Sequence, residues 1–318
     1  MPKIEVRGLT KRYGGTPFML SEATFEYEGH GAIGYLGPNG AGKTTTLKLL
    51  TGLLRPTSGS AWINGINVHS DPKHALADVG AVIETPVPYP TLTVQEAIEL
   101  ASEFRGGRVT DITPLVRDLD LKLDLPPFSA RTGKLSKGQR QRVVIAASLV
   151  RDPRIVILDE PTSGLDPKER ILIRNLLNEL KKDHLILMSS HLMQEVTDIC
   201  DQVIFINQGQ ILLRDTVANI ADRFVARAVD VEFATPMPID RIRGIGPLVK
   251  DATVVGERRF RIAFDGTNDS RAQILEGLVK LGPVLTYQSA SLVLEDAYLS
   301  LMREDVNASA SGPPRAAS

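Results

Sequence analysis

The chain has 318 residues, of which 42% are hydrophobic and 24% charged, a composition typical of soluble globular proteins and long enough for roughly two domains. Its 37 basic and 38 acidic residues give a net charge of −1, which argues against a nucleic-acid binder because such proteins carry a basic excess. The single cysteine, Cys200, excludes an intramolecular disulfide framework, and neither a signal peptide nor an apolar run long enough to cross a membrane is expected.

The first two-thirds of the sequence alternates strand and helix patterns. In chain order, strands are predicted at 4–7 and 32–36, a helix through Leu50, strands at 62–63 and 79–83, helices at 94–105 and 113–120, a strand at 155–158, a helix at 169–182, a strand at 185–188, and a hairpin of 203–206 with 211–213. Strands that alternate with helices predict an α/β domain with a mainly parallel sheet. We assign this domain to residues 1–220.

After residue 220 the pattern changes to a small α+β module. Its predicted elements are strands at 231–233, 260–264 and 284–287 and helices at 270–281 and 293–302. We assign residues 221–305 to an accessory α+β domain. Residues 306–318 are small, polar and rich in proline, which predicts a disordered tail.

A glycine-rich loop follows the apolar strand at 32–36. Residues 37–44 read Gly-Pro-Asn-Gly-Ala-Gly-Lys-Thr and match the phosphate-loop pattern G-x-x-x-x-G-K-[ST], in which backbone N–H groups surround phosphates at a helix N-terminus. In this pattern Lys43 reaches the β- and γ-phosphates and Thr44 offers its hydroxyl to Mg²⁺. The predicted phosphate-binding residues are Gly37, Pro38, Asn39, Gly40, Ala41, Gly42, Lys43, Thr44 and Thr45.

Two acids end the apolar strand at 155–158. Because ligands of open parallel sheets lie beyond the carboxyl ends of the strands, Asp159 is expected beside the phosphate loop, where it can hold Mg²⁺ through water. Glu160, one residue further, can polarise an attacking water molecule. Adjacent acids at a strand end also occur as simple caps of loops or helices, and the phosphate loop makes that alternative weaker.

Further motifs resemble those of ATP-binding-cassette (ABC) ATPases and cover residues 3–215. The five residues Leu135, Ser136, Lys137, Gly138 and Gln139 are similar to the family's signature motif, and Ser163, Gly164, Leu165 and Asp166 to its D-loop. His191 stands at the place of the switch histidine, and Tyr13 at the place of the aromatic that stacks on adenine. A core aromatic is the alternative role for Tyr13.

The resemblance implies a P-loop ABC ATPase fold, with a mainly parallel sheet core, N-terminal antiparallel strands and a helical subdomain. It implies ATP and Mg²⁺ as ligands and Glu160 and His191 as catalytic residues. It further implies a head-to-tail homodimer or heterodimer of nucleotide-binding domains, in which the signature motif contacts the ATP held by the partner. It also implies that a separately encoded membrane permease completes the transporter and that the chain lies at the cytoplasmic face of the cell membrane.

This sequence departs from the family pattern at two positions. Lys137 replaces the usual second glycine of the signature motif. Glu84 stands where the family normally has a glutamine that touches Mg²⁺, and it is accordingly counted with Thr44 and Asp159 as a candidate Mg²⁺ ligand. The segment 84–93 resembles that of the drug, bacitracin and lantibiotic exporter subfamily, as does the C-terminal segment 294–299, and we expect residues 84–93 to dock the permease.

Two other functions are alternatives to transport. A soluble cassette ATPase acting on ribosomes or DNA is disfavoured, because only one phosphate loop occurs, no long coiled coil is inserted, and the net charge is near zero. A nucleotide-dependent regulator that binds ATP without hydrolysing it is disfavoured by the presence of both Glu160 and His191. The sequence therefore predicts the ATP-hydrolysing subunit of an exporter with no nucleic-acid partner. Its cargo stays open among drugs, as in multidrug export, antibiotics, lipids and polysaccharides.

Overall fold

The computed structural model describes residues 1–14, 19–84, 88–106, 113–220 and 228–289. The chain divides into two compact units, Met1–Arg214 and Asp215–Ser318. The predicted helix at 293–302 and the predicted tail at 306–318 lie outside the described residues. Within the described ranges, no helix is both long enough and apolar enough to cross a bilayer.

Strands and helices alternate through the first unit, as predicted. The described strands up to residue 216 are β1 (Lys3–Lys11), β2 (Leu20–Glu28), β3 (Gly31–Leu36), β4 (Ser58–Ile63), β5 (Ile66–Asn67), β6 (Val79–Val82), β7 (Ile155–Asp159), β8 (Leu185–Ser190), β9 (Gln202–Asn207) and β10 (Gln210–Thr216). The described helices over the same part of the chain are α1 (Lys43–Leu50), α2 (Pro72–Ala75), α3 (Val94–Phe104), α4 (Thr113–Leu123), α5 (Lys137–Leu149), α6 (Pro167–Leu180) and α7 (Met193–Ile199). Helix α6 begins at Pro167 because Asp166 caps it, accepting the N–H of Glu169 at 2.8 Å.

The central sheet has six strands in the order β10-β9-β3-β8-β7-β6. The pairs β9-β3, β3-β8, β8-β7 and β7-β6 are all parallel. Strands β7 and β8 are buried along their whole length, which explains their continuous apolar sequences. The carboxyl ends of β3, β7 and β8 therefore meet at one edge, and the fold class predicted for this domain is confirmed.

A second, antiparallel sheet has the order β2-β1-β4-β5. Strand β2 alternates buried and exposed residues, as expected of a strand with one covered face. Apolar residues from this sheet, such as Ile4 and Phe25, pack in the same core as Ile155 and Leu187 of the parallel sheet. The two sheets thus share one core, and the N-terminal antiparallel strands were predicted correctly.

Helices α3, α4 and α5 form a group of consecutive helices between β6 and β7, in which α3 and α4 pack on α5. A capping box starts α3, in which Thr93 Oγ1 accepts the N–H of Glu96 at 3.2 Å and the Glu96 carboxylate accepts the N–H of Thr93 at 2.7 Å. The backbone N–H and the hydroxyl of Thr93 lower the pKa of Glu96 below its ordinary value. The capping box therefore defines Val94 as the first residue of α3.

The second unit contains a four-stranded antiparallel sheet in the order β12-β13-β11-β14. Its elements are β11 (Ala228–Phe233), α8 (Ile239–Arg243), β12 (Asp251–Val254), β13 (Arg259–Ala263), α9 (Asn268–Leu281) and β14 (Val284–Ser289). This order, β-α-β-β-α-β, is that of the split βαβ motif of ferredoxin-like modules. The sequence did not predict β12, in which only Ala252 is buried, or α8, which is five residues long.

Candidate functional site

The phosphate loop lies between β3 and α1. Helix α1 begins at Lys43, directly after Gly42, whose φ of 106° is in the region that favours glycine. A Cβ at Gly42 would also clash with the carbonyl oxygen of Met19. The loop is supported from the β9–β10 turn, where the N–H of Gly209 donates to the carbonyl of Ala41 at 2.9 Å. The phosphate loop is therefore packed against the residue before β2 and against the turn between β9 and β10.

Lys43 is folded back onto this loop. Its Nζ donates to the carbonyl oxygens of Gly37 at 2.8 Å and Pro38 at 3.2 Å, and the residue is only 5% exposed. Pro38, Asn39 and Gly40 form the exposed part of the loop, whereas Ala41 and Gly42 are buried, as is Thr45 in α1. The first turn of α1 carries no acidic residue, so its N-terminal end presents positive charge to an anion.

The acid pair lies at the end of β7, as predicted. Asp159 is 5% exposed, and its Oδ1 accepts the hydroxyl of Ser189 at 2.6 Å. Its Oδ2 accepts the N–H of Glu84 at 3.2 Å. Three strand ends are thus connected at Asp159, because Ser189 belongs to β8 and Glu84 follows β6.

Glu160 has a φ of 45°, a conformation that non-glycine residues adopt at a cost and that is concentrated at functional sites. Its N–H donates to the hydroxyl of Ser189 at 3.0 Å. Glu160 Oε2 lies 3.0 Å from His191 Nδ1 and Oε1 lies 3.4 Å from Lys43 Nζ. The structure therefore joins the predicted phosphate lysine, acid and histidine in one charged cluster.

One cavity of about 280 Å³ opens beside this cluster. It is lined by Thr44, Glu84, Lys137, Gln141, Asp159, Glu160 and Ser163. Residues from the phosphate loop, the acid pair, the signature segment and the D-loop segment therefore share a single hollow in this chain. Gln141 was not predicted, although it lies one helical turn after Lys137 on α5 and could have been found from that spacing.

The signature segment forms the start of α5. Ser136 caps the helix by accepting the N–H of Gln139 at 3.1 Å, and Gln139 Oε1 accepts the N–H of Ser136 at 3.0 Å. Leu135 is buried, while Ser136 and Lys137 are exposed. A Cβ at Gly138 would overlap the carboxylate of Glu169 in α6. The carboxylate of Glu169 therefore lies directly against Gly138, in space that a larger residue would fill.

The D-loop segment connects β7 to α6. Leu165 is buried, Asp166 caps α6, and the N–H of Ser163 donates to the carbonyl of Glu160 at 3.1 Å. Gly164 has a φ of 71°, and a Cβ there would clash with Lys137 Nζ. The lysine that replaces a glycine in the signature segment thus lies against the D-loop segment.

Glu84 has a φ of 60°, and its carboxylate Oε1 accepts a hydrogen bond from Lys48 Nζ of α1. This ion pair was not predicted, because 36 residues separate the two side chains. Of the expected docking segment 84–93, residues 85–87 lie outside the described residues.

Tyr13 follows β1 and is 40% exposed, with Lys11 Nζ 5.2 Å from its ring centroid. The role of this ring in stacking on adenine stays a prediction.

A strand, a phosphate loop and a helix N-terminus that face carboxylates at the edge of a parallel sheet define a P-loop nucleoside triphosphatase. Residues 20–163 match the ABC transporter domain family. The chain is 32% identical to the Nod factor export ATP-binding protein I of Burkholderia orbicola, over 94% of this chain and 96% of that protein. The chain belongs to the ABC transporter family, as an ATP-binding and ATP-hydrolysing subunit.

Other similar proteins agree with this assignment. The ABC transporter ATP-binding protein NatA of Bacillus subtilis is 34% identical over 59% of this chain and 78% of that protein. A solved ATP-binding subunit of an ABC transporter has a TM-score of 0.64 and 30% identity, covering 70% of this chain and 92% of that one. A bacterial ABC transporter cassette solved as a dimer shares the fold, with a TM-score of 0.62 and 24% identity over 67% of this chain and 98% of that one.

Proposed function

We propose that ATP hydrolysis by this chain powers export through a separately encoded membrane permease, with Glu160 as the residue that activates water. The observation that carries the proposal is the contact of Glu160 with both Lys43 and His191 at the carboxyl edge of the sheet. Phosphoryl transfer needs a positioned water and stabilised charge rather than a covalent intermediate. The carboxylate can orient the water, the lysine can hold the phosphates, and the histidine can donate to the γ-phosphate.

We propose that Mg²⁺ binds at this site together with the nucleotide. Thr44, Glu84 and Asp159 line one cavity, and a hydroxyl and carboxylates are oxygen ligands of the kind that Mg²⁺ prefers. The ion would neutralise charge on the phosphates during transfer. Glu84 is then shared between this role and its ion pair with Lys48.

The signature segment supports pairing with a second cassette. Ser136 and Lys137 are exposed at the N-terminal end of α5, where a helix terminus attracts anions. We propose that Ser136 and Gly138 contact the ATP bound to the partner cassette, with the D-loop residues Ser163, Gly164, Leu165 and Asp166 beside that interface. The partner is a second copy of this chain or a different cassette.

An apolar hollow of about 220 Å³ is the proposed docking site of the permease. It is lined by Pro88, Tyr89, Leu92, Ala97, Leu100, Ala101, Phe104, Val143, Val144 and Ala147. Tyr89 and Phe104 are respectively 66% and 79% exposed, and exposed apolar surface of this kind marks interaction sites. The lining of the hollow begins at Pro88, four residues after Glu84 of the nucleotide site, and we propose that a permease segment seated there acts on that site through this stretch of chain. The chain would thereby be held at the cytoplasmic face of the membrane.

Export is supported by the resemblance of segment 84–93 to drug exporters and by the export role named for the Burkholderia relative. The first experiment is co-purification of the tagged chain with the membrane protein encoded beside it. Tyr89→Asp and Leu92→Asp should each lose the membrane protein while keeping ATPase activity. Leu121→Asp, at an 85% exposed apolar residue of α4 outside the hollow, is the matched control. Retention of the membrane protein by both hollow variants would rule out this docking site.

A further inference from the structure

Glu195, in the first turn of α7, contacts both loops that carry the proposed catalytic side chains. Its Oε1 accepts the hydroxyl of Thr162, two residues after Glu160. Its Oε2 accepts the hydroxyl of Ser190, directly before His191, at 2.9 Å. One carboxylate therefore connects the loop after β7 to the loop after β8.

The two hydroxyl donors are deeply buried. Thr162 is 2% exposed and Ser190 is 1% exposed. Hydrogen bonds to an ionised acceptor are roughly twice as strong as neutral ones, and a buried polar group left without a partner is costly. The two loops are consequently held at a defined separation on the side of the site that faces α7.

The Ser190 hydroxyl also shapes the turn that follows it. It accepts the N–H of Leu192 at 2.9 Å, which closes a turn around His191. Glu195 thus acts on His191 through the backbone of this turn and on Glu160 through Thr162. Neither catalytic side chain is itself bonded to Glu195 in the contacts that the structure describes.

We propose that Glu195 is a positioning residue that maintains the 3.0 Å contact between His191 Nδ1 and Glu160 Oε2. This inference rests on the proposed function, because it assigns a task only if Glu160 and His191 carry hydrolysis. Loss of the carboxylate frees the two loops to separate. The rate of hydrolysis then falls, while ATP still binds at the phosphate loop, since the described hydrogen bonds of Glu195 go to Thr162 and Ser190 rather than to that loop.

The test separates turnover from nucleotide affinity. In Glu195→Ala, kcat for phosphate release should fall roughly tenfold to a hundredfold, because displacement of a catalytic group by about 1 Å has effects of this size. The Kd for ATP should stay within about twofold of the original, since charge contacts at the phosphate loop are unchanged. Gln194→Ala is the matched control: Gln194 is exposed on the same helix and donates to Asp198, so its kcat should be unaltered.

Variants at the partner hydroxyl supply a second, independent measurement. Thr162→Ser keeps the hydroxyl and should retain turnover, whereas Thr162→Val should lower kcat. Because both act through one hydrogen bond, Thr162→Val should add little to the loss in a Glu195→Ala background. If Glu195→Ala fails to fold, the comparison of Thr162→Val with Thr162→Ser still tests the proposal.

Normal kcat in Glu195→Ala, or equal turnover in Thr162→Val and Thr162→Ser, would overturn the positioning role. So would a parallel loss of kcat and ATP affinity. Glu160→Gln distinguishes the two levels of failure. If that variant is inactive while Glu195→Ala is normal, only the Glu195 inference is wrong; if Glu160→Gln itself hydrolyses ATP normally, the proposed function of the site is wrong.

Discussion

Lys43 and Glu160 are ion partners, with Nζ and Oε1 3.4 Å apart. The side chain predicted to hold phosphates is therefore paired with the side chain proposed to activate water. A γ-phosphate entering the loop must compete with the carboxylate for the same ammonium group. ATP binding would free Glu160 from Lys43 and leave it with His191.

Replacing the carboxylate of Glu160 should separate binding from hydrolysis. Glu160→Gln should slow phosphate release by about 10²- to 10⁴-fold, the usual contribution of a positioned acid or base. ATP binding should be retained or tightened, because the neutral amide competes less for Lys43. Glu103→Gln, on the exposed face of α3, is the control for loss of one negative charge. Undiminished phosphate release from Glu160→Gln would exclude Glu160 as the activating group.

Removal of the phosphate lysine should act on binding itself. Lys43→Ala should raise the Kd for ATP roughly tenfold to a hundredfold, since a hydrogen bond to a charged group contributes about 1.5–3 kcal/mol. Fluorescence titration with a labelled nucleotide measures this directly. Lys73→Ala, at an exposed lysine of α2, controls for the change in net charge. Equal Kd values for the two variants would contradict the assignment of the loop.

The ion pair between Lys48 and Glu84 should set the requirement for Mg²⁺. In Lys48→Ala the Glu84 carboxylate is released, so the Mg²⁺ concentration that gives half-maximal ATPase activity should fall. Lys48→Arg retains the positive charge and should stay near the original value. Glu84→Gln should raise the requirement, because an amide oxygen is a weaker ligand than a carboxylate. A Mg²⁺ dependence that is the same in all these variants would remove Glu84 from the metal site.

The start of α3 should lose stability in acid. The Glu96 carboxylate, whose pKa is lowered by the Thr93 backbone N–H and hydroxyl, stabilises the folded chain above its ordinary pKa of 4.5 and ceases to do so as the pH falls through its lower folded pKa. Glu96→Gln should therefore lower the melting temperature at neutral pH, and the difference from the unaltered chain should shrink below pH 4.5. Glu103→Gln, on the same helix but outside the capping box, is the control for the loss of one carboxylate. If the difference in melting temperature between Glu96→Gln and the unaltered chain stays constant with pH, the capping contact is not ionic.

The nucleotide site could largely be predicted from sequence because its parts are local backbone devices. A glycine-rich turn between a strand and a helix, and acids that end an apolar strand, each have a short pattern with a direct geometric meaning. The confirmed parallel sheet then brings strands that are far apart in sequence to one edge. The hairpin of β9 and β10 was also predicted from sequence. Its turn residues Gln208 and Gly209 both have positive φ values, as a two-residue turn of this kind requires.

Contacts between distant side chains could not be predicted in the same way. Glu195 is an acid in the first turn of a helix, a position that favours any carboxylate, and its contacts with Thr162 and Ser190 depend on the tertiary fold. The pairing of Lys48 with Glu84 depends equally on the tertiary fold, because the two residues are 36 positions apart in sequence. In the second unit, β12 was missed because a four-residue edge strand with one buried residue has no alternating pattern.

Because Gly138 and Glu169 are in contact, the residues that are tolerated at one of these positions depend on the residue at the other. Because a Cβ at 138 would overlap the Glu169 carboxylate, a larger residue there requires the flexible Glu169 side chain to turn away or to be shortened. A library that randomises the signature segment one codon at a time would therefore measure, at position 138, the displacement of Glu169 together with any demand made by ATP. Paired randomisation of the two codons is the way to separate that steric demand from any demand made by ATP.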